Sequence, residues 1–337
     1  MRVLALRRRL GGASLMAEAW QEPLEELGVE LVIDDVASWI PDATGKRVDK
    51  EVTKRLKQEA RGFDVIHALS YRSAWACAEA FYVRQPWTYS AYDFPITRHP
   101  DLVDRLNSAR LGLVTTRTLR RHLDGADVLH MTTLEPPVPI PIARPSKEEA
   151  RRMLGLPAEG LVIGTVGRWA RERAMEETIE AMTVVNQTFP EAKMVVGGEG
   201  PDAPLLRRRA DAEGRNVILH EGFDDRWAIY LASDLMIVNS PRQAFSYPMA
   251  EAMRCGRSVM VRRDSGLEDI ISSGATGWLH DPDLDLGYSI VTALSRPDQL
   301  EAIGQSAQRD ADLRFDVRAS ADRLARLYRE VTGTVTA

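Results

Sequence analysis

The 337-residue sequence contains two cysteines, too few for two common kinds of protein. A disulfide-stabilised secreted domain or a cysteine-rich zinc site needs more cysteines, at closer spacing, than Cys77 and Cys255 provide. The sequence also lacks any apolar run near the roughly 20 residues that span a bilayer, and its N-terminus lacks the apolar segment of a signal peptide. We therefore expect a soluble protein of the cytoplasm.

A strong excess of one charge is absent as well, since 44 basic and 49 acidic residues give a formal net charge of −5. This balance does not favour nucleic acid, so we expect no nucleic-acid partner. With 44% hydrophobic residues, the chain can form buried cores, and its length favours about two domains.

What the sequence does contain is an alternation of strand and helix patterns from end to end. In the first half, apolar runs indicate strands at residues 3–6, 31–33, 65–68, 88–91, 113–115 and 128–131. In the second half, they indicate strands at residues 161–166, 193–196, 217–219, 235–238 and 258–261. Helical patterns separate most of them, including residues 176–188 and 268–273. The alternation predicts an α/β protein with mostly parallel sheets that helices cover on both faces.

Five prolines lie within residues 135–145. Proline at this density stiffens a linker and is excluded from helix interiors and central strands. We therefore place a domain boundary here, between a first domain of residues 1–143 and a second of residues 144–315, each with a doubly wound sheet.

The stretch after the strand at residues 235–238 carries the strongest indication of a binding site. Ser246 and Pro248 suit the first positions of a helix, because a hydroxyl caps free amides and proline needs no amide partner. Ligands of open α/β sheets bind beyond the carboxyl ends of the strands, and a helix N-terminus attracts anions. We therefore expect a phosphate-binding loop at residues 244–247, with Glu251 in the first helical turn binding a diol such as ribose. The competing interpretation is that the helix dipole alone favours an acid there.

Loops after other strands of the second half should lie at the same edge of that sheet. Gly167 and Arg168 follow its first strand and Arg173 lies five residues on, so that two cations could neutralise a diphosphate. Glycines follow the next two strands, at residues 197–200 and at Gly222. Each loop alone is typical of an ordinary turn, but together the loops predict one crevice.

These motifs resemble those of the retaining nucleotide-sugar glycosyltransferases of the GT-B fold, family 4 in particular. The resemblance is dense over residues 154–281, where its motifs fall on Gly167, Arg168, Arg173, Ala174, residues 198–201, Gln243, Phe245 and residues 251–253. In the first half it rests on Gly11, Gly12, residues 64–67, Tyr92 and Asp93. The family's lysine-glycine pair is arginine-alanine here, which keeps the charge and reduces backbone freedom.

The resemblance implies two Rossmann-like domains that face a central cleft, with a C-terminal helix, residues 316–337, that crosses back to the first domain. It implies an acceptor-binding first domain and a second domain that binds a nucleoside-diphosphate sugar. The sugar would move to an acceptor hydroxyl with retention, by a front-face mechanism without metal or cofactor. The implied donor-binding residues are Gly12, Arg168, Arg173, Gly222, Phe223, Gln243, Phe245, Ser246, Tyr247 and Glu251. Of these, Arg168, Arg173 and Gln243 would be catalytic, and Gly11, Tyr92 and Asp93 would line the acceptor or sugar pocket.

Two positions depart from the family's pattern, since Gln243 replaces a glutamate and Tyr92 replaces a histidine. A glutamine can hydrogen-bond sugar hydroxyls, but it carries no charge to balance a cationic transition state. One alternative is therefore a pseudo-glycosyltransferase that serves as a nucleotide-binding or glycan-binding partner subunit. A nucleotide-sugar epimerase or a phosphorylase is a third interpretation, although no pyridoxal-binding lysine motif is present. The sugar, the base, the acceptor (a glycan, a lipid-linked or a small molecule), a peripheral membrane contact and the oligomeric state stay open.

Overall fold

The computed structural model describes residues 1–7, 12–36, 48–81, 85–95 and 100–333. The chain divides into two compact units, one of Met1–Pro139 with Phe315–Ala337 and one of Ile140–Arg314. The division after Pro139 lies inside the proline-rich segment.

The first unit, as far as its residues are described, is built on a six-stranded parallel sheet. Its elements before the linker are β1 (Arg2–Arg7), α1 (Gly12–Glu26), β2 (Glu30–Asp35), α2 (Lys50–Glu59), β3 (Val65–Ala68), α3 (Tyr71–Phe81), β4 (Trp87–Ala91), α4 (Pro100–Asn107), β5 (Leu111–Val114), α5 (Arg117–Asp124) and β6 (Met131–Thr133). The strand order is β2-β1-β3-β4-β5-β6, and all neighbours are parallel. Strands β3 and β4 are buried along their whole length, as expected of strands covered on both faces.

The second unit, which is described in full, has a six-stranded parallel sheet of its own. Its elements are α6 (Lys147–Met153), β7 (Val162–Val166), α7 (Met175–Glu180), α8 (Met182–Thr188), β8 (Lys193–Gly198), α9 (Ala203–Glu213), β9 (Val217–Glu221), α10 (Arg226–Ala232), β10 (Leu235–Val238), α11 (Tyr247–Arg254), β11 (Ser258–Arg262), β12 (Trp278–His280), α12 (Leu286–Leu294) and α13 (Pro297–Arg314). The strand order is β12-β11-β10-β7-β8-β9. The α/β architecture with parallel sheets predicted from the sequence is confirmed.

The last helix, α14 (Val317–Thr332), packs on the first unit, against α1 and β3. Trp20 Nε1 donates a hydrogen bond to Ser320 Oγ at 3.0 Å. The His67 ring lies between Tyr328, whose hydroxyl is 2.6 Å from Nδ1, and Ser90, whose hydroxyl is 2.8 Å from Nε2. Burial lowers the pKa of His67 to about 3, so the ring is neutral at pH 7. Across the described ranges, none of the helices combines the length and the apolar character that a bilayer crossing requires.

One helix predicted in the second half is wrong. Residues 268–270 form a turn and Ser273 forms a bridge to Gly277, because Glu268 folds back to accept from the Gly266 amide at 2.8 Å and the Ser272 amide bonds Thr276 Oγ1 at 2.9 Å. The helix predicted at residues 176–188 is confirmed in extent and is divided at Ala181 into α7 and α8. The Ala181 carbonyl accepts from the amides of both Val184 and Val185.

The sequence analysis missed two elements and misplaced a third. Helix α6 begins with a capping box, in which Ser146 Oγ accepts from the Glu149 amide and the Glu149 carboxylate accepts from the Ser146 amide. Strand β12 is three residues long, too short for a periodic pattern. Strand β6 begins at Met131 rather than at residue 128, because left-handed residues at Asp127 and His130 delay its entry into the sheet.

Candidate functional site

The second sheet reverses its strand order between β7 and β10, which are hydrogen-bonded neighbours. Strands β8 and β9 extend to one side of this pair, and β11 and β12 extend to the other. Ligands of such sheets bind beyond the carboxyl ends of the strands at the point of reversal. The loops that leave this point carry Arg168, after β7, and Gln243, after β10.

The Arg168 loop is fixed by close packing of backbone on backbone. A Cβ atom on Gly198 would overlap the carbonyl oxygen of Gly167, and one on Gly200 would overlap the carbonyl oxygen of Trp169. Both glycines have positive φ, at 140° and 156°. The glycines after β8 thus act as packing positions that hold the loop of Arg168 against the sheet.

Arg168 is paired with an acid that the sequence analysis did not single out. Its guanidinium contacts the carboxylate of Glu172, four residues on, and both side chains are more than half exposed. An exposed pair of this kind contributes at most about 1 kcal/mol, so a stronger anion can displace Glu172. Arg173 ends a 3-10 turn, Arg171–Arg173, that brings a second cation to the start of α7.

Ala174 adopts the left-handed conformation, with φ 51° and ψ 37°. Alanine has a Cβ that glycine lacks and is strained in this region. We expect Ala174→Gly to raise the free energy of unfolding by about 0.5–1 kcal/mol, because relief of strain outweighs the added entropy of the unfolded chain. Urea unfolding measures the change.

A matched control for this prediction is Ala181→Gly, seven residues on. Ala181 is right-handed, with φ −57°, so glycine offers no relief there and should lower the free energy of unfolding by about 1 kcal/mol. Two variants that destabilise equally would contradict the interpretation of Ala174 as strained.

Helix α11 begins as predicted from the sequence. Ser246 is its N-cap and accepts from the Met249 amide at 3.3 Å, and Pro248 is its second residue. Pro248 has no amide hydrogen and the Met249 amide bonds Ser246, so only the backbone before Pro248 can offer amide donors at the sheet edge beside β10.

The side chain of Gln243 supports the loop before α11. It is 7% exposed, and its Nε2 donates to the carbonyl oxygen of Phe245 at 2.8 Å. Its backbone amide bonds the carbonyl of Ser265 at 2.7 Å. The side-chain amide of Gln243 therefore stabilises the conformation of the loop before α11. A carboxylate could not make this bond, because it has no hydrogen to donate.

Glu251 is the fifth residue of α11, so its predicted place in the first turn was wrong. It is 4% exposed, accepts from the Tyr230 hydroxyl at 2.6 Å and lies 3.5 Å from Arg226 Nε. Burial raises the pKa of this carboxyl. The helix-dipole interpretation loses its basis, since that effect fades beyond the first turn.

Gly222 and Phe223 follow β9, on the outer side of the same sheet edge. Gly222 has φ 95°, and its amide bonds the carbonyl of Gly198 at 2.9 Å. No atom lies within 4 Å of a Cβ built on Gly222, so open space adjoins it. The carbonyl of Phe223 accepts from Arg226 Nη1 at 3.2 Å, which links this loop to the partner of Glu251.

The candidate residues of the first unit lie at the carboxyl edge of its own sheet. Tyr92 follows β4, and its hydroxyl donates to the carbonyl of Leu69, which follows β3. The Asp93 carbonyl accepts from the Tyr71 hydroxyl at 3.0 Å. Gly12 is the first residue of α1, whereas Gly11 lies outside the described residues.

The sequence analysis gave no role in the site to three residues of the second unit. Arg226 and Tyr230 lie on α10, and their contact with Glu251 could not be read from a spacing along the chain. Asn239 follows β10 and is 3% exposed. Within the described ranges, no three His, Cys, Asp or Glu side chains form a group that could hold a metal ion.

Comparison with known families and proteins supports the resemblance found in the sequence. The family model described as glycosyl transferases group 1 matches residues 146–310. A D-inositol 3-phosphate glycosyltransferase of Corynebacterium jeikeium is 25% identical over 322 residues, covering 82% of this chain and 74% of the relative. One of Thermobispora bispora is 32% identical over 247 residues, covering 68% of this chain. The chain spans 56% of that second relative's length.

A solved structure shares the fold along nearly the whole chain. The Anabaena protein HepE in complex with UDP-glucose superposes with a TM-score of 0.83 at 20% identity, covering 98% of this chain and 100% of that one. This likeness concerns the fold. The predicted resemblance to a GT-B glycosyltransferase of family 4 type, and the predicted fold class, are confirmed.

Proposed function

We propose that this chain, a GT-B glycosyltransferase by its fold and its group 1 family match, transfers a sugar from a nucleoside-diphosphate sugar to an acceptor hydroxyl with retention of configuration. The observation that supports this most directly is the sheet reversal between β7 and β10. Because of this reversal, the Arg168 loop and the start of α11 follow neighbouring strands at one edge of the sheet. A guanidinium and the backbone at a helix N-terminus suit a diphosphate.

In this proposal, Arg168 and Arg173 bind the diphosphate, and Arg168 exchanges Glu172 for phosphate oxygens. Phe245, Ser246 and Tyr247 bind the sugar phosphate through their backbone. Glu251 binds the ribose hydroxyls after it releases Arg226, whose contact at 3.5 Å is at the limit of a hydrogen bond. Gly222 and Phe223 lie beside the base, where the structure leaves open space.

The reaction follows from the charges. The bond between the anomeric carbon and the diphosphate oxygen breaks, and the acceptor oxygen bonds to the same face of that carbon. The acceptor proton passes to the departing diphosphate. Arg168 and Arg173 stabilise the negative charge that develops there, so the reaction uses no metal. Gln243 holds the loop that orients the donor sugar.

The first unit binds the acceptor in this proposal, with Tyr92 and Asp93 at the edge of its pocket. The two curated relatives described above are named for an inositol phosphate, so a phosphorylated polyol is the first acceptor to test. Glycans and lipid-linked acceptors belong in the same assay.

Removal of the Arg168 side chain tests the donor site. We expect Arg168→Ala to weaken nucleoside-diphosphate binding by about 1.5–3 kcal/mol, the contribution of a charged hydrogen bond. Isothermal titration calorimetry with UDP and with GDP measures the change, and the better ligand of the wild-type protein is used.

Two variants of the same segment serve as controls. Arg171→Ala removes the same charge from an exposed side chain and should leave the affinity within about 0.5 kcal/mol of the wild type. Glu172→Gln removes the acid that competes for Arg168 and should tighten binding. If Arg168→Ala folds and binds as tightly as Arg171→Ala, Arg168 is not part of the site. A wild-type protein that binds neither nucleotide would contradict the proposed function itself.

A further inference from the structure

Asn239 has a buried side-chain amide whose hydrogen-bonding groups are both unused. The residue is 3% exposed, and neither Oδ1 nor Nδ2 has a hydrogen-bond partner in the part of the chain that the structure describes. A buried polar group left unpaired costs about 1–3 kcal/mol, and most such groups in folded proteins are paired. A ligand can therefore supply the hydrogen-bond partner that the described residues do not.

The position of Asn239 in the sheet points to a ligand. It is the first residue after β10, whose Leu235 and Met236 pair with Ile163 and Gly164 of β7. Continued for three residues, this register brings Asn239 level with Gly167, next to Arg168. The unused amide thus lies at the reversal of strand order, where the proposed donor binds.

The order of the strands indicates which part of a donor would reach Asn239. In the proposed function, the base lies beyond β9 and the diphosphate lies beyond β7. Strand β10 is on the opposite side of β7 from β9, and three strand spacings, about 14 Å at 4.7–4.9 Å each, separate β10 from β9. A nucleotide sugar that extends along this edge therefore has its sugar at β10.

The hydrogen-bonding groups of the Asn239 amide also favour the sugar over the diphosphate. Phosphate oxygens accept hydrogen bonds but do not donate them, so a diphosphate would leave Oδ1 unpaired. A sugar hydroxyl donates and accepts, and it matches an amide that offers one acceptor and one donor group. The amide of Gln243, by contrast, already donates to Phe245.

We propose that Asn239 is a specificity-determining residue that hydrogen-bonds a hydroxyl of the transferred sugar. The proposal rests on the proposed function, because it takes the ligand to be a nucleoside-diphosphate sugar. It adds a residue that reads the sugar itself, beyond those that hold the nucleotide. A site that pairs both groups of an amide with one hydroxyl discriminates strongly against a sugar whose hydroxyl points elsewhere.

The experiment compares Asn239→Leu with the wild type, because leucine has a similar size and no hydrogen-bonding group. Calorimetry is run with UDP, GDP, UDP-glucose, UDP-galactose and GDP-mannose. We expect Asn239→Leu to bind the nucleoside diphosphate within twofold of the wild type. Its affinity for the preferred nucleotide sugar should fall at least tenfold, and its preference between UDP-glucose and UDP-galactose should shrink if the wild type prefers one of them.

The matched control is Asn186→Leu, the same change on α8, where an amide oxygen is also unpaired. This variant should bind every ligand as the wild type does. The proposal is overturned if Asn239→Leu loses nucleoside diphosphate and nucleotide sugar equally, or if it binds the nucleotide sugar as the wild type does. If the wild-type protein binds no nucleoside diphosphate, the proposed function is wrong, and this inference falls with it.

Discussion

Asp234→Ala should lower the free energy of unfolding of the second unit by about 1.5–3 kcal/mol, because a buried guanidinium loses its charged hydrogen-bond acceptor and keeps only carbonyl acceptors. The Arg151 side chain is 4% exposed and donates to Asp234 Oδ2 at 3.0 Å. The same carboxylate oxygen accepts from the Val162 amide at 2.8 Å, and Lys147 contacts the other oxygen. Alanine would remove the acceptor of all three. Urea unfolding followed by circular dichroism measures the loss.

Lys147→Ala is the matched control, since it removes the exposed partner of the same carboxylate and should cost at most about 1 kcal/mol. Asp234→Asn should fall between the two, because it keeps an acceptor for Val162 and loses the charge. If Asp234→Ala is no less stable than Lys147→Ala, the buried pair of Arg151 and Asp234 does not stabilise the second unit.

The contacts of Asp234 with Arg151 and Val162 also affect the candidate site. Val162 begins β7 and Asp234 directly precedes β10, and these are the two strands whose loops carry Arg168 and Asn239. We expect Asp234→Ala to weaken nucleotide binding even below its melting temperature, because the two loops would no longer be held in register.

Gln243→Glu should reduce turnover about a hundredfold, equivalent to about 3 kcal/mol in the activation free energy. At neutral pH the carboxylate cannot donate to the Phe245 carbonyl, which the glutamine now does at 2.8 Å. Two oxygens would face each other in a buried place, and the loop before α11 would move. Steady-state assays with the preferred donor measure the loss.

The pH dependence of turnover in Gln243→Glu distinguishes the effect of the negative charge from the effect of the changed side-chain shape. Burial of the new carboxyl would raise its pKa, and the protonated acid has an O–H that can donate to Phe245. The deficit should therefore shrink as the pH falls through that raised pKa. Gln308→Glu is the control, since Gln308 Nε2 donates to the Arg254 carbonyl at 3.2 Å on α13. That variant should lose a similar hydrogen bond and keep full turnover.

An opposite result would revive the alternative interpretation of the sequence. If the wild type is silent with every donor and Gln243→Glu gains activity, the chain is a pseudo-glycosyltransferase. Clear wild-type turnover with any donor excludes that interpretation. Melting temperatures of all variants are needed beside the rates, because a buried carboxylate also destabilises the fold.

The architecture could be predicted because buried parallel strands are continuous apolar runs. Strand β7, for example, is buried along its whole length and reads Val-Ile-Gly-Thr-Val. The start of α11 could be predicted because its signals are local. Ser246 caps an amide three residues on, and Pro248 suits the first turn of a helix. Helix α6 was missed although Ser146 and Glu149 have the spacing of a capping box.

The contacts of the candidate site could not be predicted in the same way. Tyr230 and Glu251 lie 21 residues apart on two helices, and only the fold brings them together. The side chain of Glu268 accepts from the backbone amide of Gly266, in a segment where the sequence predicted a helix. Local patterns predict local structure, and they leave the partners of a buried side chain undetermined.

The position of α14 has a consequence for how the protein is made. The second unit, Ile140–Arg314, is one continuous segment, whereas the first unit needs Phe315–Ala337 to be complete. Trp20 and His67 meet their partners Ser320 and Tyr328 only after residue 328 has been translated. Translation at about 5–20 residues per second delays this step by roughly 10–40 s after residue 139. The first unit is therefore the first to be synthesised and the last to be completed.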